Sequence, residues 1–109
     1  MVEHFRRTDP RYDRRIEVEV KVGQFNFRAF TRNISLGGMF IETAENLPLQ
    51  TTVELSFKLP AQPEPVEVSA EVRWREPGEG ALSPGLGVRF HGLRARDVWA
   101  FNRLFGTGS

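Results

Sequence analysis

The chain has 109 residues, enough for one small domain with a modest core but too few for two lobes around a deep cleft. Its 15 basic and 14 acidic residues give a formal net charge of +1, so no overall field draws it to DNA or to a membrane surface. The absence of cysteine excludes disulfides and thiolate metal sites. The first residues, MVEHFRRTD, lack the apolar core of a secretory signal, and no apolar run reaches membrane-spanning length. We therefore expect a cytoplasmic protein.

The first half of the chain has the pattern of three strands. RIEVEVKV alternates apolar and charged residues with period two, which indicates a half-buried strand. After a turn at Gly23 and Gln24, FNFRAF repeats the alternation, with Phe25, Phe27 and Ala29 predicted to face inward. NISLGG, made of polar residues and glycines, predicts a loop, and MFIET predicts a short third strand.

The second half of the chain has the pattern of three further strands, after which the spacing of apolar residues changes to that of a helix. TVELSFKL predicts a fourth strand, and VEVSAEVRW predicts a fifth in which parity places Trp74 on the inner face with Val72. A glycine-rich loop leads to the sixth, LGVRF. LRARDVWAFNRLFG has the period of a helix that stops near Gly106. The predicted apolar stripe of this helix consists of Val98, Phe101, Leu104 and Phe105.

This order of elements predicts a mostly β fold, with six antiparallel strands and one C-terminal α-helix. Short strands protect their edges best by closing into a barrel. The apolar face of the helix would then cap one mouth of the barrel or lie across its outside. We assign residues 1–14 to a flexible N-terminal arm and residues 15–109 to a single barrel domain with its helix.

Patterns typical of enzymes are not found in the sequence. His4 and His91 are the only histidines, and their spacing is not that of metal ligands. There is no P-loop, no cysteine nucleophile and no nucleophilic serine turn. The carboxylates mostly fall on the polar faces of strands, where solvation explains them. We therefore expect no enzymatic activity, no metal and no cofactor.

Two short stretches have the chemistry of a binding site. The stretch FRRTDPR places Arg6, Arg7 and Arg11 before the first strand. Guanidinium groups stack on flat rings and form forked hydrogen bonds with phosphate or with the O6/N7 edge of guanine. A solvated basic tail is the alternative interpretation.

The second stretch is the loop NISLGG. Asn33 offers an amide and Ser35 a hydroxyl, while Gly37 and Gly38 let a ligand approach the main chain and can supply a positive φ. An ordinary turn is the alternative. Together, the loop and the arginines suit a ligand that contains guanine and phosphate. Trp74 is favoured as a core residue, but its place at a strand end also allows it to stack on a base.

With these motifs, the sequence resembles the PilZ domain family, bacterial receptor modules for cyclic di-GMP. That family has an RxxxR motif before the first strand and a (D/N)xSxxG motif after the second. This chain has Arg7-Thr-Asp-Pro-Arg11 and Asn33-Ile-Ser35-Leu-Gly-Gly38, and GLGVRFHGL followed by the helix resembles the family's closing elements. The resemblance runs from about Arg6 to Phe105. NISLGGMFIET is especially similar to small stand-alone PilZ proteins of myxobacteria and their relatives.

The resemblance implies a role for each motif residue. Arg7 and Arg11 would contact guanine faces and phosphates, Asn33 and Ser35 would meet a guanine edge, and the Gly38 backbone would allow close approach. The implied ligand is cyclic di-GMP, and an unknown downstream protein is the implied signalling partner.

Three details refine this expectation. In the family, an arginine just before RxxxR tends to accompany a stacked pair of ligands, so Arg6 implies two cyclic di-GMP molecules per domain. Arg11 and Arg15 form a second RxxxR frame, but we prefer the frame of Arg7 because it leaves Arg15 as a surface residue at the edge of the first strand. Asn33 replaces the commoner aspartate, and its uncharged amide is expected to weaken binding without abolishing it.

Three functions are considered for this sequence. The first is a cyclic di-GMP receptor whose arm changes conformation on binding. The second is a PilZ-like adaptor that acts through protein contacts and does not bind the nucleotide. The third, a small barrel for single-stranded nucleic acid, needs aromatic residues in a broad basic groove. It is disfavoured because the polar strand faces carry both signs of charge.

Overall fold

The structure is a computed structural model that describes residues 15–59, 62–78 and 83–105. Six β-strands are followed by one α-helix. The strands are β1 (Glu17–Val22), β2 (Phe25–Ile34), β3 (Gly38–Glu42), β4 (Thr52–Phe57), β5 (Val66–Glu76) and β6 (Gly85–Phe90), and the helix is α1 (Ala95–Phe105).

The six strands form a closed barrel in the order β1-β2-β3-β6-β5-β4. Every pairing is antiparallel, and β4 closes the barrel on β1 through a register that aligns Val18 with Phe57 and Val20 with Leu55. The predicted fold class, a mostly β six-stranded antiparallel barrel with a C-terminal helix, is confirmed.

Period-two alternation builds the core of this barrel. In β1, Val18 and Val20 are buried, Glu19 between them is partly exposed, and Glu17 and Lys21 on either side are exposed. Burial of such apolar side chains is the main driving force for the fold. The buried positions contributed by the strands are Val18, Val20, Ala29, Ile34, Met39, Ile41, Val53, Leu55, Phe57, Val66, Val68, Ala70, Val72, Leu86, Val88 and Phe90.

Helix α1 caps one mouth of the barrel through Phe101, which is fully buried. The Phe101 ring meets Phe57 and Phe90 edge-on, with centroid distances of 6.2 and 6.3 Å, and those two rings stack on each other at 6.3 Å. We call Phe57, Phe90 and Phe101 the inner aromatic cluster. Of the stripe predicted for the helix, Phe101 is buried and Val98 and Leu104 are half-buried, whereas Ala100 is a buried residue that the prediction missed.

The start of α1 is held by a buried carboxylate. Asp97, in the first turn, accepts hydrogen bonds of 3.4 Å from Gln62 Nε2 and from Arg94 Nε. A carboxylate is stabilised at this end of a helix by the exposed backbone N–H groups and the helix dipole. The contact with Gln62 also ties the helix to the connection between β4 and β5.

One inward prediction in β2 is wrong. Phe25 was expected to face the core with Phe27 and Ala29, yet it is 49% exposed. It pairs with Val22 at the tip of the β1–β2 hairpin, and the pairing of β4 with β1 ends at Lys21. The tip therefore extends past the end of the pairing with β4, which leaves this ring half exposed.

The described residues contain neither a membrane-spanning helix nor a metal-binding group of side chains. No helix in them has the length and apolar character needed to cross a membrane. Within the same ranges, acidic and histidine side chains do not gather in groups of three or more that could hold a metal ion.

Candidate functional site

A β-bulge interrupts β2 near its C-terminal end. The register against β3 shifts between Thr31 and Asn33, so Arg32 is an extra residue. Thr31 and Ile34 are fully buried, whereas Arg32 and Asn33 between them are both partly exposed. A bulge breaks the alternation of faces and re-aims side chains. It therefore directs two consecutive polar side chains to the outer face.

A second bulge lies in β5. The register against β6 shifts between Val72 and Trp74, with Arg73 as the extra residue. Val72 is fully buried in the core, but Trp74 is only partly buried and lies against Gly87 on the outer face. The predicted core position of Trp74 is therefore wrong, because the bulge reverses the parity on which that prediction rests.

The two bulges lie at the same level of the barrel. The registers align Asn33 with Phe40, Phe40 with Gly87, and Gly87 with Trp74, in one row across four strands. Phe40 is 3% exposed although its neighbours Met39 and Ile41 occupy the core face. Its ring lies 6.3 Å from that of Trp74, centroid to centroid. We call Phe40 and Trp74 the outer aromatic pair.

Glycine in β6 makes room for this pair. A Cβ at Gly85 would collide with the Phe40 ring, and a Cβ at Gly87 would collide with the Trp74 ring. The two rings therefore cover positions where β6 has no side chain. The GLG segment of the sequence is required by this close packing of rings on backbone.

The NISLGG segment is a tighter structure than the predicted loop. Asn33 and Ile34 belong to β2 and Gly38 begins β3, which leaves only residues 35–37 as the connection. Ser35 is 2% exposed. Its backbone N–H donates to the Gly38 carbonyl at 2.8 Å, and its hydroxyl oxygen accepts from the Gly37 N–H at 3.2 Å. The Ser35 hydroxyl therefore stabilises the turn itself.

Gly38 is required in this turn because it leaves room for a neighbouring strand, and not because of a positive φ. Positive φ angles occur at other glycines, such as Gly23 and Gly78, and the positive φ expected for the turn is not found at Gly37 or Gly38. A Cβ at Gly38 would instead collide with the Val88 carbonyl of β6. Gly38 is thus required for the approach of β3 to β6.

An ion-pair network borders the outer aromatic pair. Glu42 accepts from Arg15 Nη1 at 3.0 Å and from Arg32 Nε at 3.1 Å. Arg32 also donates to the Ser83 carbonyl at 2.8 Å and lies over the Phe40 ring, 4.2 Å from its centroid. The hydrogen bond from Arg32, supported by that from Arg15, lowers the pKa of Glu42 below its ordinary value against the opposing effect of desolvation.

The predicted site residues fall into three groups. Arg6, Arg7 and Arg11 lie outside the described residues. Asn33 and Trp74 are brought into one cross-strand row on the outer face. The remaining three, Ser35, Gly37 and Gly38, form or border the turn beside that row. Arg15, predicted as a surface residue, has a side chain that is 64% exposed, and this is confirmed.

Sequence patterns alone did not identify three other residues of this region, Arg32, Phe40 and Glu42. Phe40 lies in MFIET, for which the sequence predicted only a short strand. Arg32 and Glu42 were not singled out because their meeting depends on a bulge that has no signature in the alternation pattern. One sequence feature could have pointed to this region, namely the two glycines of GLG. Glycines in a strand allow large side chains of neighbouring strands to lie over it.

The family model for the PilZ domain matches residues 5–105. The chain belongs to the PilZ domain family. The match includes the arm with its arginines, the barrel and the helix. No curated protein matches the sequence.

Solved structures of PilZ proteins have the same fold. The Bacillus subtilis inhibitor of motility (MotI/DgrA) has a TM-score of 0.79 at 22% identity over 94% of this chain, which spans only about half of that protein (51%). The PilZ domain of Escherichia coli YcgR with c-di-GMP has a TM-score of 0.70 at 18% identity, over 94% of both chains. The PilZ domain of CeSA from a cellulose-synthesizing bacterium has a TM-score of 0.64 at 18% identity, over 92% of this chain and 99% of that one.

Proposed function

We propose that this PilZ domain is a receptor for cyclic di-GMP that changes the conformation of its N-terminal arm on binding and signals to a partner protein. The observation that carries the proposal is the row formed by Asn33, Phe40, Gly87 and Trp74. It aligns the first residue of the NxSxxG motif with an indole ring on the outside of the barrel. Family membership and the presence of both ligand-binding motifs in the sequence support the same function.

The roles proposed for the residues follow from their chemistry. The Asn33 amide hydrogen-bonds a guanine edge, and the half-exposed Trp74 ring stacks on a base. The main chain at Gly37 and Gly38 lets the ligand approach the turn closely. Ser35 is proposed to act chiefly by holding the turn, since its hydroxyl is already bonded there.

The arm supplies the guanidinium groups in this proposal. Arg7 and Arg11 contact guanine faces and phosphates, and Arg6 supports a second, stacked cyclic di-GMP molecule. Binding would bring residues 1–11 over the outer face, a shift in population that changes the surface shown to a partner. The proposal includes no catalytic step and no cofactor. It places the protein in the cytoplasm, which a chain without cysteine permits.

A second candidate function is an adaptor that acts by protein contacts without binding the nucleotide. It is favoured by Trp99, which is 61% exposed on α1 beside a groove of about 240 Å³ lined by Leu59, Pro63 and Ala100. Exposed tryptophan beside an apolar groove is typical of protein contact sites. The receptor remains our conclusion because both ligand-binding motifs are complete.

Isothermal titration calorimetry of the 109-residue chain with cyclic di-GMP, and with GTP as control, tests the proposal. We expect saturable binding of cyclic di-GMP and none of GTP. A ratio near two ligands per chain supports the role of Arg6, and a ratio near one removes it. Absence of heat together with unshifted NMR amide signals would reject the receptor function in favour of the adaptor.

The arm is tested by Arg7→Ala and Arg11→Ala. Each is expected to abolish detectable binding while the circular dichroism spectrum and melting temperature stay those of the parent, because these residues precede the barrel. Arg28→Ala is a matched control, since Arg28 is also an exposed arginine but lies on β2 beside Glu17. Binding as tight as that of the parent in either arm variant would show that the clamp is assigned to the wrong residues.

A further inference from the structure

Arg32 makes three different contacts from one side chain. Its Nε donates to Glu42, its Nη2 donates to the Ser83 carbonyl, and its guanidinium plane covers the Phe40 ring. Ser83 precedes β6, and Glu42 ends β3. One residue therefore joins the bulge of β2, the end of β3 and the chain entering β6.

This arrangement explains how an outward-facing phenylalanine is almost fully buried. Phe40 is 3% exposed because the position below it is Gly85, Trp74 lies beside it and Arg32 lies over it. A guanidinium stacked on a ring contributes electrostatic attraction in addition to covering apolar surface. A lysine could keep the ion pair with Glu42 but could not reproduce the flat stacking and the fork of donors.

The position of Trp74 depends on this cover. Trp74 lies on Gly87 at the margin of the row, and its ring has Phe40 as a neighbour. If Arg32 is removed, Phe40 loses its cover and can move away from Gly85. Trp74 then loses a fixed neighbour on one side. A side chain that must stack on a base binds better when it is already held in place, because less motion is lost on binding.

We propose that Arg32 is a positioning residue for nucleotide binding, which holds Phe40 against Gly85 and thereby fixes Trp74 on Gly87. The proposal rests on the proposed receptor function for its effect on affinity. Its first step, the control of Trp74 by Arg32, is a property of the ligand-free protein.

The test uses the full chain with Trp99→Phe, so that Trp74 is the single tryptophan. Cyclic di-GMP binding is measured by calorimetry for this parent, for Arg32→Gln, for Trp74→Ala and for the double variant. We expect Arg32→Gln to weaken binding roughly fivefold and Trp74→Ala to weaken it about tenfold or more, as for the loss of one stacked base. If Arg32 acts through Trp74, the double variant binds no more weakly than Trp74→Ala alone.

A second readout separates positioning from a general loss of stability. In ligand-free Arg32→Gln, Trp74 emission is expected to shift to longer wavelength and acrylamide quenching to increase. The matched control Arg28→Gln removes a guanidinium from the same strand, where it lies 3.7 Å from Glu17, and should change neither emission nor affinity. Arg32→Lys is expected to give intermediate values of both.

Each result decides a different step. The proposal is overturned if the double variant loses affinity by the product of the two single-variant factors. It is also overturned if the emission of Trp74 is unchanged in Arg32→Gln. A lower melting temperature with unchanged affinity and emission would give Arg32 a purely structural role, which also overturns it. If the parent binds no cyclic di-GMP, the receptor function fails, and the fluorescence comparison still decides whether Arg32 positions Trp74.

Discussion

The inner aromatic cluster and the outer aromatic pair lie on opposite sides of the barrel wall. Their ring spacings are nearly the same, at 6.2 to 6.3 Å inside and 6.3 Å outside. Their surroundings differ. Phe101 and Phe57 are at most 2% exposed and pack within the core, whereas the outer pair combines a covered Phe40 with a partly exposed Trp74.

This difference shows that ring contacts alone do not define what a cluster does. Inside the barrel, helix α1 closes over the rings, and their burial contributes to the stability of the fold. Outside, two bulges and two glycines leave one ring available to solvent. The same strands therefore carry a core on one face and a partly exposed tryptophan on the other.

The largest effect on stability is expected for substitution of Phe101 in the inner aromatic cluster. Phe101→Ala removes the ring that caps the barrel mouth and is expected to cost about 3–5 kcal/mol of unfolding free energy, measured by guanidinium denaturation. Trp99→Ala, on the exposed face of the same helix, is the control and should change stability by no more than about 0.5 kcal/mol. Similar losses in the two variants would contradict the assignment of Phe101 as the cap.

A second prediction concerns the glycine beneath the outer pair. Gly87→Ala places a Cβ against the Trp74 ring and is expected to destabilise the protein by about 1–3 kcal/mol through overpacking. Adding Trp74→Ala to Gly87→Ala removes the collision, so the double variant should recover most of that loss. Melting temperatures of the two single variants and the double variant decide this. Additive losses would mean that the ring does not lie on Gly87.

A smaller effect is expected from the ion pairs of Glu42. Because the pKa of Glu42 is lowered in the folded protein, its charge stabilises the fold above its ordinary pKa of 4.5, and this stabilisation is lost as the pH falls through the folded pKa. Glu42→Gln should therefore cost at most about 1 kcal/mol at pH 7. The difference from the parent should shrink toward pH 3 in urea denaturation. If the difference in unfolding free energy between Glu42→Gln and the parent grows as the pH falls, the lowered pKa of Glu42 is contradicted.

The smallest change is predicted for Asn33, at the other end of the row from Trp74. Asn33→Asp supplies a carboxylate that can accept two guanine N–H bonds, so affinity for cyclic di-GMP should stay the same or rise by a few-fold, about 1 kcal/mol at most. Calorimetry at constant salt measures this. A large drop in affinity would show that the amide N–H₂ of Asn33 donates a bond that the ligand requires.

Much of the fold follows from the sequence because alternation and helical period act over several residues. The alternation in RIEVEVKV and TVELSFKL matches the alternating burial of β1 and β4, and the two strands pair with each other without interruption. The site is less predictable because it is built by exceptions. One extra residue at Arg32 and one at Arg73 reverse the faces of the residues that follow, and such a shift leaves no mark on a period-two pattern.

Closure of the barrel limits how a partner can recognise this protein. Each of the six strands is hydrogen-bonded to two neighbours, from β1 through to β4 and back. A strand of another protein can join a sheet only where backbone N–H and C=O groups are unpaired. A protein that contacts the barrel wall would therefore have to recognise its surface side chains rather than pair with its main chain.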